Sequence, residues 1–303
     1  VKVTFLGTSG AFPTAHRNGT AHVVWVQGET LLLDCGESTQ RQLRRSGARL
    51  SVQRIFLSHL HLDHTLGLPG YVGTMNLLQR SEPLRIYMPR GTRAQVEHLL
   101  APVGRVGFPV SLEELEDGAV VKADGFRVIA ARVEHQGPAL GFRIEEDERP
   151  GRVDVEKAKR LGVPPGPLVG QLLRDGQITV DGRTIRVDEI AGPPRPGRSL
   201  VYSGDTRPCR TLASLAKKAD LLIHESTFTT EFADEAVARG HSTSAEAAQV
   251  ARDSGVGRLA LTHISQRHQE SDELKKMVRE GRAVFNEAFL PDDLDEVEIP
   301  LAS

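Results

Sequence analysis

The sequence predicts a layered α/β architecture, and three observations carry that expectation. Short apolar runs rich in β-branched residues alternate with helical stretches. The alternation occurs twice, once in the first half of the chain and again beyond residue 199, which suggests two half-domains. Clusters of His, Asp and Ser stand directly after the C-termini of the runs. In an α/β protein, side chains at those positions converge on one crevice. With 303 residues, 39% hydrophobic and 26% charged, the chain can bury a sizeable core and has no disordered, collagenous or coiled-coil composition.

Taken in order, strands are expected at Val3–Leu6, His22–Val26, Leu31–Leu33 and Arg54–Leu57, each closed by Gly, Ser or Asp. A helix is expected at Ser38–Ser46, followed by strands at Leu84–Tyr87, Phe126–Val133 and Leu140–Ile144. The second half reads as strand Leu200–Ser203, helix Thr211–Lys218, strand Leu221–His224, helix Thr243–Ser254 and strand Arg258–Leu261. Thr243-x-x-Glu246 is a capping box at the start of its helix.

Residues 149–198 break the pattern. Seven of the 17 prolines fall there, around a short helical segment Val153–Leu161. Ten basic side chains face six acidic ones in this stretch, a net of +4 in a chain whose formal charge is −2. It reads as an inserted arm, either a plain solvated loop or a basic arm able to grip a phosphate backbone. A second basic stretch, Arg41, Arg44, Arg45 and Arg49, has the same two readings.

Composition narrows the function classes. The near-neutral net charge gives no global pull toward polyanions, so nucleic-acid binding needs a local basic patch or a metal. Cys35 and Cys209 make no disulfide framework, CxxC pair or zinc-ribbon spacing, which fits a reducing cytoplasm. No window approaches eighteen unbroken apolar residues and no basic leader precedes Val3–Leu6, so neither membrane spanning nor secretion is expected.

The strongest chemical signal is Ser58-His59-Leu60-His61-Leu62-Asp63-His64, directly after the strand Arg54–Leu57. Three histidines and an aspartate in six positions would cost several kcal/mol if buried together unpaired. At a strand end, His59 and His61 can point into one site while Asp63 and His64 reach a second, a spacing that offers ligands to two metals. Shared ligands leave a position open for water, unlike a closed structural zinc site. Further ligands are expected at other strand ends: His135, Asp205 in Tyr202-Ser203-Gly204-Asp205-Thr206, and His263 in Leu261-Thr262-His263-Ile264-Ser265.

The His59-x-His61-x-Asp63-His64 motif with His135, Asp205 and His263 resembles that of the metallo-β-lactamase superfamily of binuclear metallohydrolases. That resemblance implies a four-layer αβ/βα sandwich spanning residues 1–303. Narrower motifs are Phe5-Leu6-Gly7-Thr8, the segment Leu33-Asp34-Cys35-Gly36-Glu37-Ser38-Thr39, Gly67-Leu68-Pro69-Gly70, Ser203-Gly204-Asp205-Thr206, His224-Glu225-Ser226-Thr227 and Gly240-His241-Ser242-Thr243. Together they resemble the ribonuclease Z family, endoribonucleases that remove 3′ trailers from precursor tRNA. The resemblance extends to Gly166-Pro167 in the arm, which matches that family's flexible tRNA-binding exosite.

The resemblance implies that His59, His61 and His135 hold one zinc, that Asp63, His64 and His263 hold the other, and that Asp205 bridges them; the same donors accept manganese. Asp63 is then also the general base, and His241, oriented by Glu225, the proton donor to the leaving ribose oxygen. Asp34 is expected to orient ligands through hydrogen bonds without binding metal. Arg17, Gly166 and Pro167 are expected RNA contacts. The N-terminal loop Pro13-Thr14-Ala15-His16-Arg17 departs from the family's Pro-x-Lys-x-Arg pattern at Ala15, so the specificity tied to that loop is not carried over. The family further implies a homodimer. Two other readings stand beside this one: a small-molecule or cyclic-nucleotide phosphodiesterase on the same scaffold, and a non-catalytic RNA-binding member.

Overall fold

The computed structural model describes residues 1–268 and 270–301. Two compact units emerge, Val1–Glu145 with Arg198–Ser303, and Glu146–Gly197. The larger holds two seven-stranded sheets among the described residues. The first places Lys2–Gly7, Ala21–Val26 and Glu29–Leu33 side by side as antiparallel hairpins, then adds Arg54–Phe56, Leu84–Pro89 and Val110–Leu115 in parallel. Glu296–Glu298 closes the other edge. The second contains Ser199–Tyr202, Leu221–Glu225 and Arg258–Thr262 in parallel. Parallel strands share one direction, so the polar segments that follow Phe56, Tyr202, Glu225 and Thr262 all leave from strand C-termini.

Alternating apolar residues give each sheet two buried faces. Val3, Phe5, Leu31, Leu33 and Phe56 of the first sheet form one cluster with Phe126, Phe142, Leu200, Tyr202 and Ile223 of the second. The Phe56 ring stacks on Tyr87 at 4.6 Å and meets Phe142 of the facing sheet at 5.4 Å, separations typical of favourable aromatic pairs. On the outer face of the first sheet, Leu32, Ile55 and Ile86 pack with Leu43, Leu68, Tyr71, Met75 and Val96 from helices Thr39–Ser46, Gly67–Leu77 and Arg93–Leu100. On the outer face of the second, Val201, Leu222 and Leu259 pack with Leu212, Ala247 and Ala251 from helices Arg210–Leu215 and Ser244–Ser254. Helix, sheet, sheet and helix make the four-layer metallo-β-lactamase sandwich. The capping box forms, with Thr243 Oγ1 accepting from Glu246 N and the Glu246 carboxylate accepting from Thr243 N.

The smaller unit, close in its limits to the 149–198 arm expected from proline content, has a core of its own in Ala158, Val163, Leu172, Ile178, Ile185 and Ile190. Beyond the expected short helix, observed at Val155–Arg160, it contains a helix Pro167–Asp175 and a hairpin Gln177–Val180/Arg183–Arg186. Asp181 and Gly182 turn that hairpin with φ of 49° and 76°, the paired positive angles a two-residue type I′ loop needs. Gly166 precedes the second helix at φ 140°, which favours glycine, and Pro167 stands at its first position, where no amide hydrogen is missed. Both residues are exposed. Among the described residues no helix is long and apolar enough to cross a membrane.

Candidate metal centre

The strand Arg54–Phe56 runs into an extended segment, and His61 then caps a single helical turn, Leu62–Thr65. This change from extended to helical backbone splits the motif: His59 and His61 project before the turn, Asp63 and His64 within it. The first group gathers His59, His61, His135 and Asp205, and the second Asp63, His64 and His263; the donor atoms within each group lie within 4.8 Å of one another. His61 Nδ1 is 3.0 Å from His59 Nε2 and 3.3 Å from His135 Nε2. Asp205 Oδ2 lies between the groups, 3.3 Å from both His64 Nε2 and His263 Nε2, 3.6 Å from His59 Nε2 and 3.9 Å from His135 Nε2. Asp63 Oδ2 is 3.2 Å from His263 Nε2 and 3.5 Å from His64 Nε2.

These donors could hold divalent metal. Tetrahedral ligands at ~2.0–2.1 Å stand ~3.3 Å apart, close to the separations just given. His64 Nε2 and Asp205 Oδ1 are buried without a hydrogen bond among the described residues, an expensive condition that a cation relieves. The electrostatics agree. Burial opposes a charged His64, yet Asp205, Asp63 and Asp34 hold its imidazole well above the usual histidine range. Burial likewise opposes ionised Asp205, yet His263, His64 and His59 hold it well below the usual carboxylate range. The carboxylates therefore favour positive charge between them, while burial and neighbouring imidazoles keep His59 and His61 neutral, the form that binds metal.

Surrounding groups fix the rings. Asp34 Oδ1 accepts from Ser58 N at 2.6 Å, while its Oδ2 lies 2.7 Å from His64 Nδ1 and accepts from Ser58 Oγ at 2.7 Å and Tyr202 OH at 2.5 Å. The Asp34 carboxylate thereby sets the orientation of His64. Asp34 and His263 are both held at left-handed φ, 56° and 58°, a local strain common where surrounding structure dictates a site. His135 Nδ1 sits 2.8 Å from the Gly240 carbonyl, turning Nε2 toward the first group. Ala11 N donates to Asp63 Oδ2 at 2.8 Å.

His241 and Glu225 form a second arrangement beside the donors. His241 Nδ1 lies 3.0 Å from Glu225 Oε1 and 3.9 Å from Asp205 Oδ2. Burial works against the imidazolium, but Glu225 outweighs it and raises His241 to about 9. His241 is also within ligand range of Asp205 and His263. Glu225 is buried and further held by Thr206 N, Thr227 N, Thr227 Oγ1 and Ser242 N. A cavity of about 390 Å³ opens over Asp63, Asp205, His241 and His263, with Arg239, Arg267 and Glu235 at its lining.

Three contributors escape a reading by residue type: Thr227, whose Oγ1 reaches Glu225, His241 and His263; Arg207, which donates to the His241 carbonyl and to Glu246; and Tyr202, on Asp34. Tyr202 and Thr227 are marked in the sequence only by membership of the short motifs around Asp205 and Glu225, and Arg207, just past the first of these, is not marked at all. Arg17, expected as an RNA contact, is engaged within the protein. It is buried, with its guanidinium donating to Thr8 Oγ1, the Pro291 carbonyl and Asp292, which makes it a clamp between the N-terminal loop and residues 291–292.

Comparison with known proteins gives a concordant picture. The model of the beta-lactamase superfamily domain matches residues 189–264, and that of anti-Pycsar protein Apyc1 matches residues 1–135. Ribonuclease Z of Methanosarcina acetivorans is 43% identical over 99% of this chain and 98% of its own length. Ribonuclease Z of Myxococcus xanthus is 45% identical over 99% and 98%. The crystal structure of human tRNase Z, short form, superposes with a TM-score of 0.71 at 29% identity, covering 99% of this chain and 100% of that one.

Proposed function

The chain belongs to the ribonuclease Z family, and from that premise we propose how its residues share the work of a metal-dependent endoribonuclease that processes tRNA 3′ ends. The observation that carries the reading is the placement of Asp205 Oδ2 between two donor groups, with the Glu225–His241 pair at their side. We assign His59, His61 and His135 to one zinc, Asp63, His64 and His263 to a second, and Asp205 to both. Such a pair of ions supplies an acidified water and neutralises charge on the scissile phosphate.

The remaining steps fall to side chains. Burial raises Asp63, but His64 and His263 overcome this and keep it ionised, a form that orients the attacking water by accepting its hydrogen bond; we also assign Asp63 the role of general base. His241 then gives a proton to the departing ribose 3′-oxygen, leaving a 3′-hydroxyl on the tRNA and a 5′-phosphate on the trailer. Glu225 keeps His241 charged and turned, and Arg207 anchors its backbone. Asp34 is a positioning residue for His64.

The unit 146–197, whose basic side chains all fall within the 149–198 arm, serves in this reading as the tRNA-binding exosite, with the exposed Gly166-Pro167 as part of it. A homodimer is part of this reading on the strength of the family alone, and free Cys35 and Cys209 support a cytoplasmic setting. A non-catalytic binding protein would have no use for seven converging donors.

Incubation of the purified, metal-loaded protein with a 3′-extended precursor tRNA, followed by mapping of both product ends, tests the reading. Cleavage at the trailer junction with the stated termini is expected. Hydrolysis of simple diesters alone would return the chain to the phosphodiesterase alternative.

A further inference from the structure

A cavity of about 700 Å³, separate from the one over the metal donors, lies between the N-terminal loop and the helix Ser271–Val284. Its lining is two-sided. Leu274, Val278 and Leu290 are half-buried and give it an apolar floor, and Lys275, Arg279 and Arg282 stand exposed around it. The helix sorts its charges to build this. Glu280 accepts from Thr230 N and Ser244 Oγ, Glu273 lies beside His268, and Lys276 pairs with Glu231. Those groups face other elements.

The cations left at the cavity are weakly engaged. Arg279 makes no ion pair among the described residues. Arg282 gives only its Nε hydrogen, to the Ala288 carbonyl at 2.9 Å, and Lys275 meets Asp272 at 3.4 Å between two exposed side chains. The cavity's own acids are already occupied: Asp292 pairs with Arg17, and Asp293 accepts from Thr8, Asn18 and Gln42. A ligand matching this lining has an apolar planar or ring portion and an adjoining anion, and the volume suits one nucleotide.

We propose that this cavity seats one nucleotide of the precursor's RNA strand, its phosphate among Lys275, Arg279 and Arg282 and its base or ribose against Leu274, Val278 and Leu290. The proposal rests on the ribonuclease reading. A free nucleotide has the same chemistry, but the position favours the substrate strand. Ala11, which bonds Asp63, and His16, which lines the cavity, are five residues apart in one loop, so at most ~18 Å separates them. A nucleotide seated here therefore lies within a few nucleotides of the scissile phosphate. Backbone contacts of this kind position RNA without reading its sequence.

The test uses the full metal-loaded protein. In the Lys275→Ala/Arg279→Ala double variant, affinity for a precursor tRNA at fixed salt should fall about tenfold, and the slope of log affinity against log salt should flatten by about 1–2. Hydrolysis of bis(p-nitrophenyl) phosphate should stay at the wild-type level, which also reports correct folding. Should the double variant lose that hydrolysis, the single Arg279→Gln variant decides by the same readouts. Adenosine 5′-monophosphate at millimolar concentration should compete weakly with precursor for the wild type and not for the variant. Wild-type precursor affinity and salt slope in a variant active on the diester would overturn the proposal. So would Arg279-dependent binding of the free nucleotide with precursor affinity unchanged, which would assign the cavity to a small effector. Failure of the wild type itself to cut precursor would instead strike the ribonuclease reading.

Discussion

Glu225 Oε1 lies 3.0 Å from His241 Nδ1, and four backbone or hydroxyl donors hold the buried carboxylate where it is. The pair lies beside the seven proposed metal ligands, which separates proton delivery from metal binding. His241→Ala should therefore lower the rate of precursor cleavage ~10²–10⁴-fold, with metal content and precursor affinity near those of the wild type. Loss of an ion by elemental analysis would move His241 into the ligand set, a role its proximity to Asp205 and His263 makes a real competitor.

Asp205 offers the opposite case. Its Oδ2 stands within 3.3–3.9 Å of four ring nitrogens drawn from both donor groups. Asp205→Ala should empty both sites together, from close to two ions per chain to near none, and abolish hydrolysis of precursor and small diester alike. A variant that keeps two ions and normal turnover would show the assignment to be wrong.

Gly10 gives a steric test of His263. A Cβ at this position would fall 2.6 Å from His263 Nδ1 and Cε1, and the ring is also tied by Thr227 Oγ1 at 2.9 Å. Gly10→Ala should displace the ring and weaken the second group selectively, seen as one ion per chain retained and one lost. Retention of both ions at wild-type affinity would mean that the loop yields before the ring does.

Much of this site is legible in the sequence because metal donors are rare residue types placed at strand ends. His59, His61, Asp63, His64, His135, Asp205 and His263 can be picked out before any fold is known, since parallel strands bring their C-termini to one edge. Tyr202 and Asp34 are 168 positions apart, and a tyrosine in a strand gives no local sign that its hydroxyl will meet a carboxylate. The Arg17 contact is hidden for the same reason: only the fold brings Asp292 to it. Among the elements, Gly67–Leu77 defeats a propensity reading because GLPGYVGTMNL carries three glycines and a proline. The helix forms anyway, since Leu68, Tyr71, Val72 and Met75 are buried against the sheet. The strand Val110–Leu115 is hidden by its edge position, where glutamates replace apolar residues on the exposed side.

Asp293 makes stability depend on pH in an unusual direction. Burial raises its carboxyl to about 6 against the lowering pull of Asn18, Thr8 and Arg17. The folded state therefore holds this proton more tightly than the unfolded one, whose carboxyl titrates near 4. The stabilisation is complete below the unfolded value and is lost as pH rises from about 4 through about 6, an effect on the order of 3 kcal/mol. Urea unfolding across that range should show wild-type stability falling relative to Asp293→Asn as pH rises, whatever constant offset the substitution brings. Parallel curves for the two proteins would refute the assignment.

The last prediction concerns the unit Glu146–Gly197, which has its own small core. Replacing residues 152–196 with a short Gly/Ser linker removes this basic segment and none of the proposed metal ligands, because His135 and Asp205 lie outside the excision. A precursor tRNA reaches the site only as the end of a large polyanion whose body needs phosphate contacts, and such contacts make affinity fall steeply with salt. Bis(p-nitrophenyl) phosphate needs no such grip. The excision should weaken precursor binding by at least ~1–3 kcal/mol, flatten its salt dependence and largely spare diester hydrolysis. Equal losses on both substrates would make the unit a structural support. Unchanged tRNA cleavage would remove it from substrate binding and leave recognition to the larger unit.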